Sequence, residues 1–332
     1  MKQRITYVVF CLGAISLLIL DTQTAIHGAA EGIELCMKVL LPSLFPFFLI
    51  INYANSVLTG FKIPILRSVG RSLQLPDGCE SILLLSLLGG YPVGAQLIGD
   101  LYRKGQLSKR TCRILLGYFN NAGPAFIFGI TGLLFSHPYF PALLWGIHII
   151  SALITGHILP KPKQGEEIQQ NKASISIVKS MQNSIRICAA VCGWVIMFKT
   201  IQAYIFKWLI YDSDSYLSLI IQGILELSTG CIGLLEFTSE PLRFLLVSAF
   251  LAFGGICVIL QTASVTESLG MGLYIPGKFI QTAISLIIAT IFFIHQIRLT
   301  LALSIIIPSL IVIFVTSLIV KKRCGNPAYN HV

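Results

Sequence analysis

Apolar residues fall in runs of the length that crosses a bilayer as a helix, roughly 20 residues each. They occupy 5–20, 36–58, 114–133, 139–160, 186–206, 244–265, 279–296 and 300–320, with short polar stretches between them. Segments that alternate apolar and polar at period two, as a membrane β-barrel requires, do not recur. Two further apolar segments break the pattern. Residues 81–101 contain Gly89, Gly90, Tyr91, Pro92 and Gly94, and residues 217–238 contain Glu226, Ser228, Thr229 and Gly230. Helix-breaking and polar residues thus sit at the middle of each, where a plain spanning helix gains most from Leu or Ile. The pattern predicts that both segments enter the bilayer and turn back.

Charge placement bears on that prediction. Basic residues concentrate on the cytoplasmic side of membrane proteins. With the N-terminus inside and both odd segments returning to their own side, most of the 24 basic residues fall inside, in the loops 59–78, 102–113 and 161–179, at Arg186 and Lys278 beside the spans, and at both termini. The outer stretches then carry Asp21, Asp212, Asp214, Glu236 and Glu240, with Lys38, Lys207, Arg243 and Arg298. If 81–101 crossed fully and 217–238 did not, the basic loop 102–113 would lie outside. If both crossed, 102–113 and 161–179 would face opposite sides. Two hairpins satisfy the charges best.

The element order then repeats. Span 36–58, hairpin 81–101 and spans 114–133 and 139–160 form one half. Span 186–206, hairpin 217–238 and spans 244–265 and 279–296 form the other. Three crossings per half invert the second relative to the first, so the hairpins enter from opposite sides. Inverted halves with broken helices meeting near the midplane are the architecture of secondary transporters.

Unwound backbone at membrane depth is tolerated only where protein or a watery cavity covers it, and free N–H groups opening a half-helix favour anions. Gly89, Gly90, Pro92 and Gly94 break the helix at one such tip, with close helix crossing on glycine as the competing reading. Glu226 marks the other. An intramembrane carboxylate is a functional candidate by default, and it could instead cap a nearby backbone group. Asn120 and Asn121 precede Gly123-Pro124 in one span, and Gln261-Thr262 follow Gly254-Gly255 in its counterpart. These offer donors and acceptors at depth, or polar glue between helices. Lys199, read as the lone basic residue within a span, could neutralise a carboxylate substrate, pair with Glu226, or snorkel outward.

Composition adds exclusions. Only 11% of residues are charged, against about 25% for a soluble domain. The net charge of +10 sits in loops between spans, which argues for lipid and against nucleic acid. The nine cysteines form no C-x-x-C pair and read as small buried residues. The histidines 27, 137, 148, 157, 295 and 331 form no metal set. No P-loop, H-E-x-x-H or G-x-S-x-G occurs, so no enzymatic activity and no cofactor are expected. Residues 5–20 after Lys2 and Arg4 read as an uncleaved helix rather than a signal peptide. Segment 172–184 reads equally as an interfacial helix or a linker, and Tyr139, Trp208 and Tyr211 as interfacial anchors.

LLPSLFPFFL (40–49), GGYPVGAQ (89–96), YFNNAGPAFIFG (118–129) and ELSTG (226–230) together resemble the sporulation integral membrane protein family YlbJ/SpoVV. The resemblance runs over most of 32–297. It implies nucleoside-recognition (Gate) domains similar to the core of concentrative nucleoside transporters, with opposed hairpins forming a substrate site. It also implies transport of dipicolinic acid into the forespore, across the outer forespore membrane. Carried over by motif, the implied substrate-binding residues are Gly90, Tyr91, Pro92, Gly94, Asn120, Asn121, Glu226, Ser228, Thr229 and Gln261.

The expectation is an all-α polytopic membrane protein of about eight spanning helices plus two re-entrant hairpins in inverted repeats. Its divisions are a first helix (1–31), a first repeat (32–160), a cytoplasmic linker (161–182), a second repeat (183–297) and a C-terminal helix with a basic tail (298–332). Both termini face the cytoplasm. The expected function is transport of a small anionic or aromatic metabolite. A nucleoside carrier outside sporulation and a non-transporting assembly factor are the alternatives. The sequence leaves a homo-oligomer and the coupling ion open.

Overall fold

The computed structural model describes residues 2–170, 176–209, 216–266 and 269–324. Lys172, Tyr211, Asp212, Asp214 and His331, and the side chain of Lys2, lie outside the described residues. Among the described residues all regular structure is helical, with one isolated bridge between Asp77 and Glu167. Among the described residues six helices are long and apolar enough to cross a membrane: Thr22–Leu58, Tyr139–Ile158, Ile177–Trp208, Glu240–Val265, Tyr274–Phe292 and Leu299–Cys324.

In chain order, α1 (Lys2–Leu20) leads into α2 (Thr22–Leu58) and the short α3 (Arg67–Leu73). The first hairpin is α4 (Cys79–Gly89) and α5 (Val93–Arg103). Next come α6 (Lys109–Phe119), α7 (residues 124–134) and α8 (Tyr139–Ile158). The second half opens with α9 (Ile177–Trp208), followed by the second hairpin, α10 (Tyr216–Leu225) and α11 (Leu227–Gly233). Then follow α12 (Glu240–Phe253), α13 (Gly255–Val265), α14 (Tyr274–Phe292) and α15 (Leu299–Cys324).

The largest differences from the expected boundaries are at two helix starts. Residues 22–35, read as a loop, are helical and continuous with the span 36–58. Polar residues such as Gln23, His27, Glu31 and Glu34 alternate there with small ones, so no continuous apolar run registers. Gly28 and Gly32 share one face, and a Cβ on either would fall within 3.0 Å of the α9 backbone at Lys199, Thr200 or Ile196. The close antiparallel packing of α2 on α9 holds this turn-rich polar stretch in helix. Similarly, α9 begins at Ile177, ahead of the expected 186, with Ser176 as its N-cap accepting from the Lys179 N–H.

Both hairpins begin and end at one place. In the first, the Ile168 N–H donates to the Asp77 carbonyl at 2.8 Å and the Ser108 N–H to Glu166 Oε1 at 3.4 Å. The same linker segment therefore holds both feet. In the second, the rings of Tyr216 and Phe237 stack edge-on at 5.0 Å. Each first-hairpin helix has 11 residues, about 16 Å of axial rise, half the hydrocarbon thickness.

The feet lie at opposite ends of the bundle. At the first end, Arg103 donates to the Val265 carbonyl, Arg113 to the Leu269 carbonyl and Arg323 to the Gly272 carbonyl. The basic loops thus gather there with the start of α14 and the end of α15. At the other end, Lys207 pairs with Asp21 at 2.8 Å. Arg243 there donates to the carbonyls of Leu134 and Phe237, beside packed rings of Phe135, Phe140, Phe244 and Phe293. The elements between occur in the same order in both halves: α2, hairpin, broken helix, α8; then α9, hairpin, broken helix, α14.

Candidate functional site

Four interruptions of helix meet at the middle of the bundle. In the first half, α4 stops at Gly90, whose φ of +77° a side chain resists. A Cβ there would lie 2.7 Å from the Gly123 nitrogen. Gly123 in turn belongs to the extended stretch between α6 and α7. In the second half, Gly254 and Gly255 both have positive φ, +81° and +79°, and separate α12 from α13. A Cβ on Gly255 would sit 3.3 Å from the carbonyls of Gly223, Ile224 and Leu225 at the second tip. In each half a hairpin tip is pressed against a glycine in a broken helix. Tyr91 joins the halves, its ring lying 3.3 Å from the Cβ position of Gly254.

Between the two tips is a narrow cleft with a cavity volume of about 30 Å³, walled by Gly90, Tyr91, Ala122, Glu226, Ser228 and Gln261. Leu40 and Leu44 of α2 and Val191 and Val195 of α9 complete its apolar side. The cleft is tight and takes water-sized occupants as it stands. Two wider polar clefts lie beyond the tips. One, at the Lys207 end, reaches Gln222 and Thr229 of the second hairpin. The other, at the basic end, reaches Val93, Gln96 and Asp100 of the first hairpin and is rimmed by Lys104, Lys179 and Arg186.

Each tip satisfies its loose backbone differently. Glu226 is buried and acts as the N-cap of α11. Its Oε1 accepts from the Ser228 N–H at 3.0 Å, and its Oε2 from the Thr229 N–H at 2.7 Å and hydroxyl at 2.9 Å. Four opening N–H groups of a helix lack partners in the chain, and a carboxylate there is favoured by charge as well as by bonding. The first tip has no such cap. Pro92 offers no N–H, and support comes from other elements. Asn120 Oδ1 accepts from the Ala95 N–H at 3.2 Å, and its Nδ2 donates to Thr262 and Tyr274 at 2.8 and 3.2 Å. The Tyr91 hydroxyl donates to the Leu251 carbonyl at 3.2 Å.

The candidate residues therefore divide. Gly90, Tyr91, Glu226, Ser228 and Gln261 face the central cleft, and Thr229 lies on the other side of the second tip. Gly94 serves packing, since a Cβ there would lie 2.5 Å from the Phe119 carbonyl oxygen. Pro92 joins Tyr91 through a cis bond and immediately precedes α5. Asn120 and Asn121 are fully buried behind the first tip, with Asn121 accepting from Gln281 at 2.9 Å and donating to the Tyr118 carbonyl at 2.7 Å. Lys199 stands apart from Glu226 and pairs with Glu31 at 2.9 Å in the cleft at the Lys207 end.

Two buried residues escaped the sequence reading. Lys278, placed in a cytoplasmic loop by charge counting, is wholly buried within α14. Its ammonium donates to Asn120 O at 2.6 Å, Gln281 Oε1 at 2.8 Å and Tyr91 Oη at 3.0 Å. His148 was likewise set aside, yet its Nε2 accepts from the Ala122 N–H at 2.9 Å beside the break. A signal existed: Lys278, Gln281 and Ser285 recur at helical spacing, a polar stripe inside an apolar helix.

Comparisons with known proteins give one relative of note. The sporulation integral membrane protein YlbJ of Bacillus subtilis (strain 168) is 28% identical over 143 residues, 40% of this chain and 34% of that protein. The match thus spans about a third of the relative's length. No family model matches the chain, and no solved structure matches it significantly. The chain is an all-helical, multi-pass membrane protein, similar over that stretch to a sporulation integral membrane protein.

Proposed function

We propose that the chain is a carrier for a small anionic or aromatic metabolite. One observation carries this reading: two helical hairpins from opposite ends meet tip to tip across a tight cleft, and a polar cleft behind each tip opens to its own end. Such a plug with access from both sides suits alternating exposure of a central site. In a bilayer the layout is eight crossings with two re-entrant hairpins in inverted repeats. The basic end faces the cytoplasm, as the loop charges favour. The substrate contacts come from Gly90, Tyr91, Glu226, Ser228 and Gln261, and the protein does no chemistry on what it moves.

The likeness to a sporulation membrane protein supports a role in sporulation, and dipicolinate, a flat aromatic dianion, is the leading substrate. Purified protein in vesicles should take up radiolabelled dipicolinate. Glu226→Gln and Gln261→Ala should each lower that uptake about 10-fold or more, the effect of losing one buried polar contact worth about 1.4 kcal/mol, while both variants still insert. Uptake of nucleosides but not dipicolinate would reassign the substrate. Normal uptake in both variants would reject the site.

A further inference from the structure

Lys278 has the surroundings of a bound cation. Its ammonium is wholly buried and touches three oxygens from three elements: the Tyr91 hydroxyl on the first tip, the Asn120 carbonyl in the break after α6, and Gln281 on α14. Two aromatic faces complete the shell, with the ring centres of Tyr91 and Tyr274 at 4.9 and 5.6 Å. Among the described residues no carboxylate pairs with it. The other titratable groups near it are Tyr91, Tyr274 and His148. The Asn120 carbonyl is freed by the helix break and needs a donor or a cation at depth. The Tyr91 hydroxyl gives its proton to Leu251, so its lone pairs face the ammonium.

We infer that Lys278 is a tethered cation, which pins the first hairpin tip to the broken helix where a mobile monovalent cation would otherwise have to bind. The first tip therefore stays closed with no sodium or potassium present. This deepens the carrier reading, because it fixes which half of the plug needs no coupling ion at its joint. Glu226 has no comparable part, since its oxygens are taken up by the backbone of its own hairpin. The ammonium also links elements far apart in sequence, so its loss loosens the first tip and leaves the second as it is.

The test reads melting temperature of detergent-solubilised full-length protein and needs no substrate. At equal ionic strength, wild-type protein should melt at the same temperature in sodium, potassium and choline chloride. Lys278→Ala should melt several degrees lower and be raised again by propylammonium chloride, which replaces the carbons and nitrogen removed. Lys278→Met keeps the apolar stem without the charge and should stay low under every salt. Stabilisation of wild type by sodium or potassium over choline would overturn the inference. So would wild-type stability in Lys278→Met, or a Lys278→Ala protein that no cation restores. If neither variant folds, the wild-type salt comparison still decides. A failed flux assay would sink the carrier reading and leave these results standing, so the two can be told apart.

Discussion

The two hairpins solve the same problem by different means. Each must end one half-helix, start another and hide the loose backbone between. The second does so from within: Glu226 caps the helix that follows it, and Gly223 and Gly230 let its arms touch. The first has no cap of its own. Asn120, Thr262, Tyr274 and Lys278, from three other elements, hold its tip. The second hairpin is therefore a self-contained unit, whereas the first is a part fitted into the surrounding bundle. A self-contained unit can shift as one piece, and a fitted part moves only if its sockets open.

The largest effect should come from spoiling the arm contact. A Cβ on Gly230 would fall 2.2 Å from the Gly223 Cα, with Phe250 close behind. Gly230→Ala should lose most of the folded protein, a cost of about 3 kcal/mol or more for overpacking against backbone, seen as aggregation on size-exclusion chromatography. Gly13, which has nothing within 4 Å of its Cβ position, is the control, and Gly13→Ala should behave as wild type. A well-folded Gly230→Ala would mean that the arms are not held together.

A pair of hydroxyl deletions sharpens the contrast. Tyr91→Phe strips one acceptor from Lys278 and one donor from the Leu251 carbonyl. It should lower stability by about 1–3 kcal/mol, because buried partners are left unsatisfied. Thr229→Val removes a bond to a carboxylate that keeps two backbone donors, and should cost about 1 kcal/mol. Melting curves that rank the two the other way would erase the distinction between a fitted and a self-contained tip.

The smallest effect concerns the mouth beside the second hairpin. The Lys207 ammonium, with help from Thr24 and Trp208, holds the Asp21 carboxyl down to about 2, below its ordinary 3.8. A lowered acid supports the folded state above its ordinary pKa and withdraws that support as pH falls through the lowered one. The link between α2 and α9 should thus persist from neutral pH to about pH 4 and fade toward pH 2. Trp208, whose indole N–H donates to Asp21 at 3.1 Å, should change emission with a midpoint near 2. Asp21→Asn should abolish that step. A midpoint near 4 in the wild type would show that the pair does not form.

The breaks were legible because Gly, Pro and Glu stand out against Leu and Ile. GGYPVG, NNAGP, ELSTG and the Gly254-Gly255 pair all mark real interruptions. Partners were not legible, because pairing is tertiary information. Lys199 and Glu226 are both polar residues in apolar segments, yet the register of α2 on α9 gives Lys199 to Glu31 instead. Lys278 was hidden by its place four residues after the start of α14, where a hydropathy window reads it as loop. Residues 22–35 were hidden because polar residues stand among the glycines and alanines that pack closely, so no continuous apolar run registers.

The linker between the halves also clamps the base of the first hairpin. Residues 163–168 bond to Asp77, Ser108 and Thr111 at once, and Lys62 bridges Asp77 and Glu167 at 2.7 and 3.4 Å. A gene split inside that linker would yield two fragments of matching design but unequal fortune. The later fragment would keep its hairpin footing intact, while the earlier one would lose the strap that ties its hairpin's feet together.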